Sequence, residues 1–536
     1  MTFNSRNKSI ISWIVLILFF SMQGGCSKSG EMGDIRPAGR PPMIEPDYSG
    51  IVIPSNIAPL NFSVKESGQE YTARIYSRRG DTIQIRSSSG SIRIPADSWK
   101  RLLSENIGGE LIVDVFIKNQ DGEWTCFDSI VNRVAPEPMD GFLTYRKFRP
   151  LFNIWEKMGI YQRSVETFDE KPVFLNRLAK DNCVNCHNFW QNKTDRWLLH
   201  QRGGSGAAML LVVGDTIKKI NTKTQFNAPV AYPSWHPSGS LVAFSANNLL
   251  QFFHATGECR DVLDRYSDII VYDLSINTIT TVPQISDPDR LEIWPAWSPD
   301  GKELYFCSAP KIETFVNPMR PDEFEYDKIK YDLMRISYDP AKRRWGEIES
   351  VISSAELGLS ITEPRVSPDG HFLLFTAAEY SQFPIYLRSA DLYLLDLRTG
   401  KWKKLEANSD RADSFHSWSS NSRWIVFSSK RMDGLFARPH FSYIDSLGIA
   451  SKPFVLPQED PEFYETYLQT FNVPEFTMEP IRIDPQVLAK VSLSEKEVLN
   501  AKLDPAVISN RNAGKTKPEL KSTIPSNKNT KNRTAR

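Results

Sequence analysis

The chain has 536 residues and a formal net charge of +1, so no basic excess marks it for nucleic acid, and its length allows about three domains with sizeable cores. Six cysteines are too few for a disulfide scaffold. Thirteen Trp and thirty Phe argue for many short aromatic-rich strands and against disorder.

The first residues suggest export. Arg6 and Lys8 precede the apolar run Ile10 to Phe20, which is too short to span a bilayer comfortably. Ser21-Met22-Gln23-Gly24-Gly25-Cys26 follows and resembles a bacterial lipobox, with Gln23 departing from the usual aliphatic residue. The resemblance implies a signal peptide over 1–25 and a lipid on Cys26. An ordinary secretory signal is the alternative. Either places the mature protein outside the cytoplasm, and the absence of a dense acidic cluster after Cys26 favours a periplasm-facing, membrane-anchored protein, with the outer membrane as the expected site. Residues 26–50, rich in Gly, Pro and charge, read as a tether.

From 51 to 135 the pattern alternates. Tyr71 to Tyr76, Thr82 to Arg86, Ser91 to Ile94 and Glu110 to Ile117 carry strand periodicity, with turns at Arg79-Gly80-Asp81 and Gln120-Asp121-Gly122. A small antiparallel β-sandwich is expected, with a short helix over 99–106. No catalytic constellation is visible in it, and packing or docking is its expected role.

Residues 136–206 are less regular. Aromatic residues cluster at Tyr145, Phe148, Phe152 and Trp155, and Phe174 to Lys180 reads as helical. This segment delivers Cys183-Val184-Asn185-Cys186-His187, which is C-x-x-C-H, the attachment pattern of c-type haem. Two thiols at this spacing can each add to one vinyl group of a porphyrin, and the adjacent imidazole then serves as proximal iron ligand. A zinc site would need a second ligand pair nearby, and the next cysteine is Cys259. His200 is the first candidate for the distal ligand and Met209 the second, with an open sixth position as the third possibility. Arg202, with Arg196 behind it, is a candidate partner for haem propionates, because guanidinium grips carboxylate bidentately. Of the other cysteines, Cys126, Cys259 and Cys307 cannot all pair, and Cys307 in Leu304-Tyr305-Phe306-Cys307 reads as a buried thiol.

Beyond 207 a motif recurs. Trp235-His236-Pro237-Ser238-Gly239, Trp297-Ser298-Pro299-Asp300-Gly301, Val366-Ser367-Pro368-Asp369-Gly370 and a worn Trp418-Ser419-Ser420-Asn421-Ser422 each precede an apolar strand. Repeats of this length and content are four-stranded blades, which pack radially because one blade cannot bury its own faces. A mainly β chain is expected, with a five- or six-bladed propeller over 207–482. Met209 to Asn221 and Phe454 to Phe476 are expected to complete the ring, and the long insertions at 248–267 and 309–330 to lie on one face. The S-P-D-G repeats resemble the TolB-like, PD40 group of WD40-like propellers. With the upstream C-x-x-C-H, and with His200-Gln201-Arg202-Gly203 and Ile220-Asn221-Thr222-Lys223-Thr224 after it, the chain resembles envelope lipoproteins that join a haem segment to such a propeller. The resemblance implies one covalent haem c, electron transfer, and redox or scaffold protein partners docking on the propeller.

A structural or sensory haem on a protein- or ligand-binding propeller scaffold is the alternative. Hydrolysis is disfavoured. The inner positions Tyr232, Trp294, Glu363 and Phe415 hold one carboxylate among three aromatics, and Gly203-Gly204-Ser205-Gly206-Ala207 misses the nucleophile-elbow pattern. No catalytic residue is assigned. Residues 483–536 are expected to form a helix over 484–503 and then a disordered basic tail.

Overall fold

Each S-P-D-G occupies a tight turn between two antiparallel strands. Gly239, Gly301 and Gly370 have φ of 68°, 71° and 73°. A Cβ on Gly301 would lie 2.3 Å from His236 Nε2, so backbone and space both exclude a side chain there. Ser298 and Ser367 take the following amides of Glu303 and Phe372 at 3.0 Å, while their hydroxyls donate to Asp300 and Asp369. That is the physical content of the repeat: serine closes the turn, aspartate orients serine, and glycine turns the chain.

The computed structural model describes residues 34–149, 157–203, 207–253, 260–311 and 325–507. The signal segment, Cys26, Cys259 and most of 309–330 lie outside the described residues.

Six blades follow one another around a closed ring. Their innermost strands are Thr470–Thr477 (blade 1), Cys183–Phe189 (blade 2), Ala231–Trp235 (blade 3), Arg290–Trp297 (blade 4), Ser360–Val366 (blade 5) and Asp413–Trp418 (blade 6). Each inner strand touches the next, and the sixth returns to the first. Closure comes from the far end of the chain: Thr470–Thr477 pairs antiparallel with Phe142–Phe148, followed outward by Gly159–Ser164 and Glu170–Leu175. The fold is a mainly β propeller.

Three boundaries differ from the sequence expectation. The propeller begins at Phe142, not 207, and the supposed aromatic and helical haem segment is blade 1 and the first half of blade 2. Its strands carry no S-P-D-G because blade 1 borrows its inner strand from Thr470–Thr477. Around Phe174 the chain is a strand, Glu170–Leu175, ended by one 3-10 turn. At the C-terminus the helix stops at Leu493, and Val498–Asn500 and Lys502–Leu503 then add parallel to the outer edges of blades 2 and 3. These short strands satisfy edge groups that would otherwise face solvent.

The insertion at 248–267 continues the pairing of Leu241–Phe253 with Arg260–Asp273 into a long arm. The arm reaches blade 5, where Tyr380 donates to Asp261 at 3.0 Å and Ser381 to the Val262 carbonyl at 2.7 Å.

The N-terminal domain is built on antiparallel strands as expected, but two short parallel pairings extend it. Ile35–Pro37 joins Trp124–Cys126, and Val52–Ile53 joins Ile130–Val134. Part of the expected tether therefore belongs to the folded domain. The helix is Ala96–Glu105, with Trp99 buried and its indole donating to the Ile57 carbonyl. One apolar core runs from this domain into blades 1 and 6. Trp424 and Tyr443 both bond Glu137 across the junction, at 2.9 and 2.8 Å. Cys126 is disulfide-bonded, and Cys307 is a buried free thiol.

Candidate functional site

The C-x-x-C-H is the inner strand of a blade. Cys183–Phe189 pairs with Arg196–Arg202, with Cys183 opposite Arg202 and Asn185 opposite His200, and the register breaks between Asn185 and Asn188. At the break Cys186 has a φ of 51°. The other five inner strands break in the same way, at Tyr232 (51°), Trp294 (57°), Glu363 (55°), Phe415 (49°) and Val473 (48°). A bulge re-aims its side chain, and left-handed backbone at a non-glycine residue is costly, so its sixfold recurrence marks the positions the ring requires. These side chains meet near the axis: Tyr232 and Trp294 have ring centroids 3.8 Å apart, and Trp294 and Phe415 6.1 Å. Cys186 packs in the same cluster.

Cys183 is buried instead among Met158, Ile160, Phe174 and Trp197, between blades 1 and 2. Both cysteines are free thiols. Burial pushes the Cys183 thiol up, while the charges of Arg146 and Arg202 oppose that rise. Arg146 donates to Asn185 Oδ1 at 2.6 Å and lies over the Phe148 ring at 4.4 Å. Among the described residues, neither Arg146 nor Arg202 has a carboxylate partner. Arg196 is structural, donating to the Gly239 carbonyl at 2.6 Å.

His187 is 2% exposed, and neither ring nitrogen has a hydrogen-bond partner. Burial, with the Arg146 charge behind it, pushes its pKa down to about 3. The ring is directed at Thr144 and Val473 of blade 1. His200 is equally unpartnered and also pushed to about 3, by burial and then by Arg202. It lies edge-on to Phe244 of blade 3, at 5.7 Å, with Met209 as its cross-strand neighbour. The His200 ring is also directed at the backbone of Cys186, the residue before His187, while the His187 ring is directed at blade 1.

The donor types are those of covalent haem, although the two thiols lie in separate cores, Cys183 between blades 1 and 2 and Cys186 in the axial cluster. Two free thiols flank two residues, an imidazole with both nitrogens unsatisfied follows, and two guanidiniums without carboxylates lie beside Cys183. An imidazole left unsatisfied in a core costs about 1–3 kcal/mol per polar group, which a ligand would remove. Among the described residues no three His, Cys, Asp or Glu side chains converge as a metal cluster, so the zinc alternative lacks ligands. Met209 is the cross-strand neighbour of His200 and packs with Phe244 of blade 3.

Beside His187 the inner strands open into a funnel of about 400 Å³, lined by residues from all six blades, including Arg365, His416 and Glu475. Neither cysteine lines it. Glu475 accepts from Asn188 Nδ2 at 2.8 Å and from the Phe189 amide at 3.1 Å, and burial pushes its pKa up to about 8. Arg146, Arg365 and Glu475 were not picked out from the sequence. The signal for Glu475 was present: Asn472-Val473-Pro474-Glu475-Phe476 matches Ala231-Tyr232-Pro233-Ser234-Trp235, an inner strand without its turn.

This chain is a six-bladed β-propeller with an N-terminal β domain. No protein-family model matches it, and no curated protein matches it in sequence. Similar solved structures include an oligogalacturonate lyase in complex with manganese (11% identity, TM-score 0.35, covering 59% of this chain and 73% of that one). The tricorn protease is another (13%, 0.33, 65% and 34%), as is the Dos1 propeller (13%, 0.30, 52% and 66%). At these values the likeness concerns architecture only, and the propeller assignment rests on the closed ring of sheets.

Proposed function

We propose that this protein is a mono-haem c-type cytochrome whose attachment strand is built into a propeller blade, anchored to the cell envelope through Cys26 and facing the periplasm. The observation that carries the reading is the pair of free thiols Cys183 and Cys186 followed by His187 with both ring nitrogens unsatisfied. Cys183 and Cys186 would hold the porphyrin, and His187 would be the proximal ligand. Arg202 and Arg146 would supply positive charge for the propionates. When bound, the iron supplies a reversible one-electron couple. The buried aromatic surroundings of Cys186 and the core around Cys183 would exclude water from it. His200, whose ring is directed at the Cys186 backbone, would be the first candidate for the distal ligand and Met209 the second. Electron transfer with envelope partners docked on the propeller is the activity that follows.

The test is a haem stain of the denatured protein after expression with a c-type maturation system, followed by oxidised and reduced spectra. Covalent haem is expected in the wild type and not in Cys183→Ala/Cys186→Ala. Its absence from the wild type overturns the cytochrome reading and leaves a binding propeller. The funnel favours that second reading as a companion function, because a concave, partly polar cavity at the end of a rigid ring is a ligand site whether or not haem is present.

A further inference from the structure

The funnel has a chemistry of its own. Its wall repeats an aromatic position of the inner strands: Phe189, Trp235, Trp297 and Trp418 all line it. Arg365 of blade 5 is the guanidinium within, and among the described residues its side chain makes no hydrogen bond or ion pair. The two carboxyls nearest in charge are otherwise engaged. Glu475 accepts from Asn188 and Phe189, and Glu363 Oε2 accepts from Thr376 Oγ1 at 3.0 Å and the Phe415 amide at 2.7 Å. Burial pushes the Glu475 carboxyl up, and it forms no ion pair with the guanidinium. The indole N–H of Trp418 in the same wall donates to the Arg365 carbonyl at 3.1 Å, which fixes the backbone that carries the guanidinium. A half-buried guanidinium that lines a cavity without a hydrogen bond or ion pair is what an anionic ligand would satisfy.

We propose that the funnel binds a small organic monocarboxylate, gripped by Arg365 and packed between the aromatic walls. One unpaired guanidinium matches one carboxylate, through its planar fork. A doubly charged phosphate would leave its second charge uncompensated in the same cavity. Flat aromatic walls suit an apolar, planar body on the ligand. Haem is not required for any of these contacts.

The test is calorimetric titration of the full chain with benzoate, benzamide and inorganic phosphate. Benzoate should bind saturably at millimolar concentration or below, and benzamide and phosphate at least about tenfold more weakly. Arg365→Gln should weaken benzoate by at least about tenfold. Arg335→Gln, which breaks pairs with Glu349 and Glu303 outside the funnel, should leave it unchanged. Arg365→Lys, which keeps the charge and loses the planar fork, should weaken benzoate severalfold and serves if Arg365→Gln does not fold. Benzoate must bind both the wild type and Cys183→Ala/Cys186→Ala, so a failed haem assignment and a failed funnel assignment are told apart. No saturable benzoate binding in either protein, benzamide or phosphate binding as tightly as benzoate, or unchanged affinity in folded Arg365→Gln would overturn the proposal.

Discussion

His187 and His416 occupy the same place in two blades, one residue past the left-handed position of the inner strand, and only His416 is satisfied. Its Nε2 lies 3.1 Å from the Leu374 carbonyl oxygen and its Nδ1 3.4 Å from Thr376 Oγ1. The ring of blades therefore accommodates a histidine here structurally, and His187 is directed at the equivalent groups of blade 1, Thr144 and Val473, without closing a hydrogen bond. Two substitutions separate the roles. In haem-loaded protein, His187→Ala should alter the reduced and oxidised spectra while the thioether-bound haem remains. His416→Phe should leave the spectra unchanged and lower stability by about 1–3 kcal/mol, because the Leu374 carbonyl loses its partner. Identical spectra for His187→Ala and wild type would remove His187 from the iron.

Glu475 ties stability to pH. Its folded pKa is pushed up to about 8 from an ordinary value of 4.5, so the folded state holds its proton where the unfolded chain has released it. Its contribution is complete below 4.5 and is lost as pH rises toward 8, with a limiting slope of about 1.4 kcal/mol per pH unit. A glutamine keeps the oxygen that Asn188 and Phe189 bond and has no proton to lose. Glu475→Gln should therefore gain stability over wild type between pH 5 and pH 8, by more than about 1 kcal/mol across the window. Urea midpoints at several pH values measure it, and a difference that does not change with pH would contradict the assignment.

Arg438 is a buried cation held by rings and carbonyls. It is 0% exposed, lies over Phe436 at 5.1 Å and Tyr464 at 5.2 Å, and donates to the carbonyls of Gln469 and Tyr467. These carbonyls immediately precede the closing strand. Arg438→Ala should destabilise the protein by about 3–5 kcal/mol, since it opens a cavity and strands two carbonyls. Arg438→Lys should recover only part of this, because an ammonium cannot reach both carbonyls with the same fork. Chemical denaturation gives both values. A cost for Arg438→Ala under about 1 kcal/mol would mean the cage contributes little to closure.

Ring closure itself is testable. Ending the chain after Gln469 removes Thr470–Thr477 and leaves Phe142–Phe148 without its antiparallel partner. It also uncovers the core that Phe471 and Phe476 share with the N-terminal domain. The expected product is aggregated or loses its cooperative melt, in contrast to a six-bladed ring that merely lost an appendage. A soluble truncated chain with an unchanged melting temperature would show that the ring closes by another route.

The sequence by itself determined what depends on neighbours along the chain. Ser298-Pro299-Asp300-Gly301 and its copies announce turns because their hydrogen bonds and positive φ are local. Cys183, Cys186 and His187 carry the C-x-x-C-H spacing, a pattern legible without the fold. Alternation announced the strands of the N-terminal domain for the same reason. Only the tertiary structure decided what depends on residues hundreds of positions apart. Thr470–Thr477 belongs beside Phe142–Phe148, which moves the start of the propeller to Phe142 and makes the C-x-x-C-H strand part of a blade. His187 and His200 lie on adjacent strands, and a β-bulge at Cys186 shifts the register between them, so that Asn185 and not His187 stands opposite His200. Arg365 and Glu475 meet in the funnel across two different blades, a meeting no local pattern encodes, because radial packing alone brings the ends of the inner strands together.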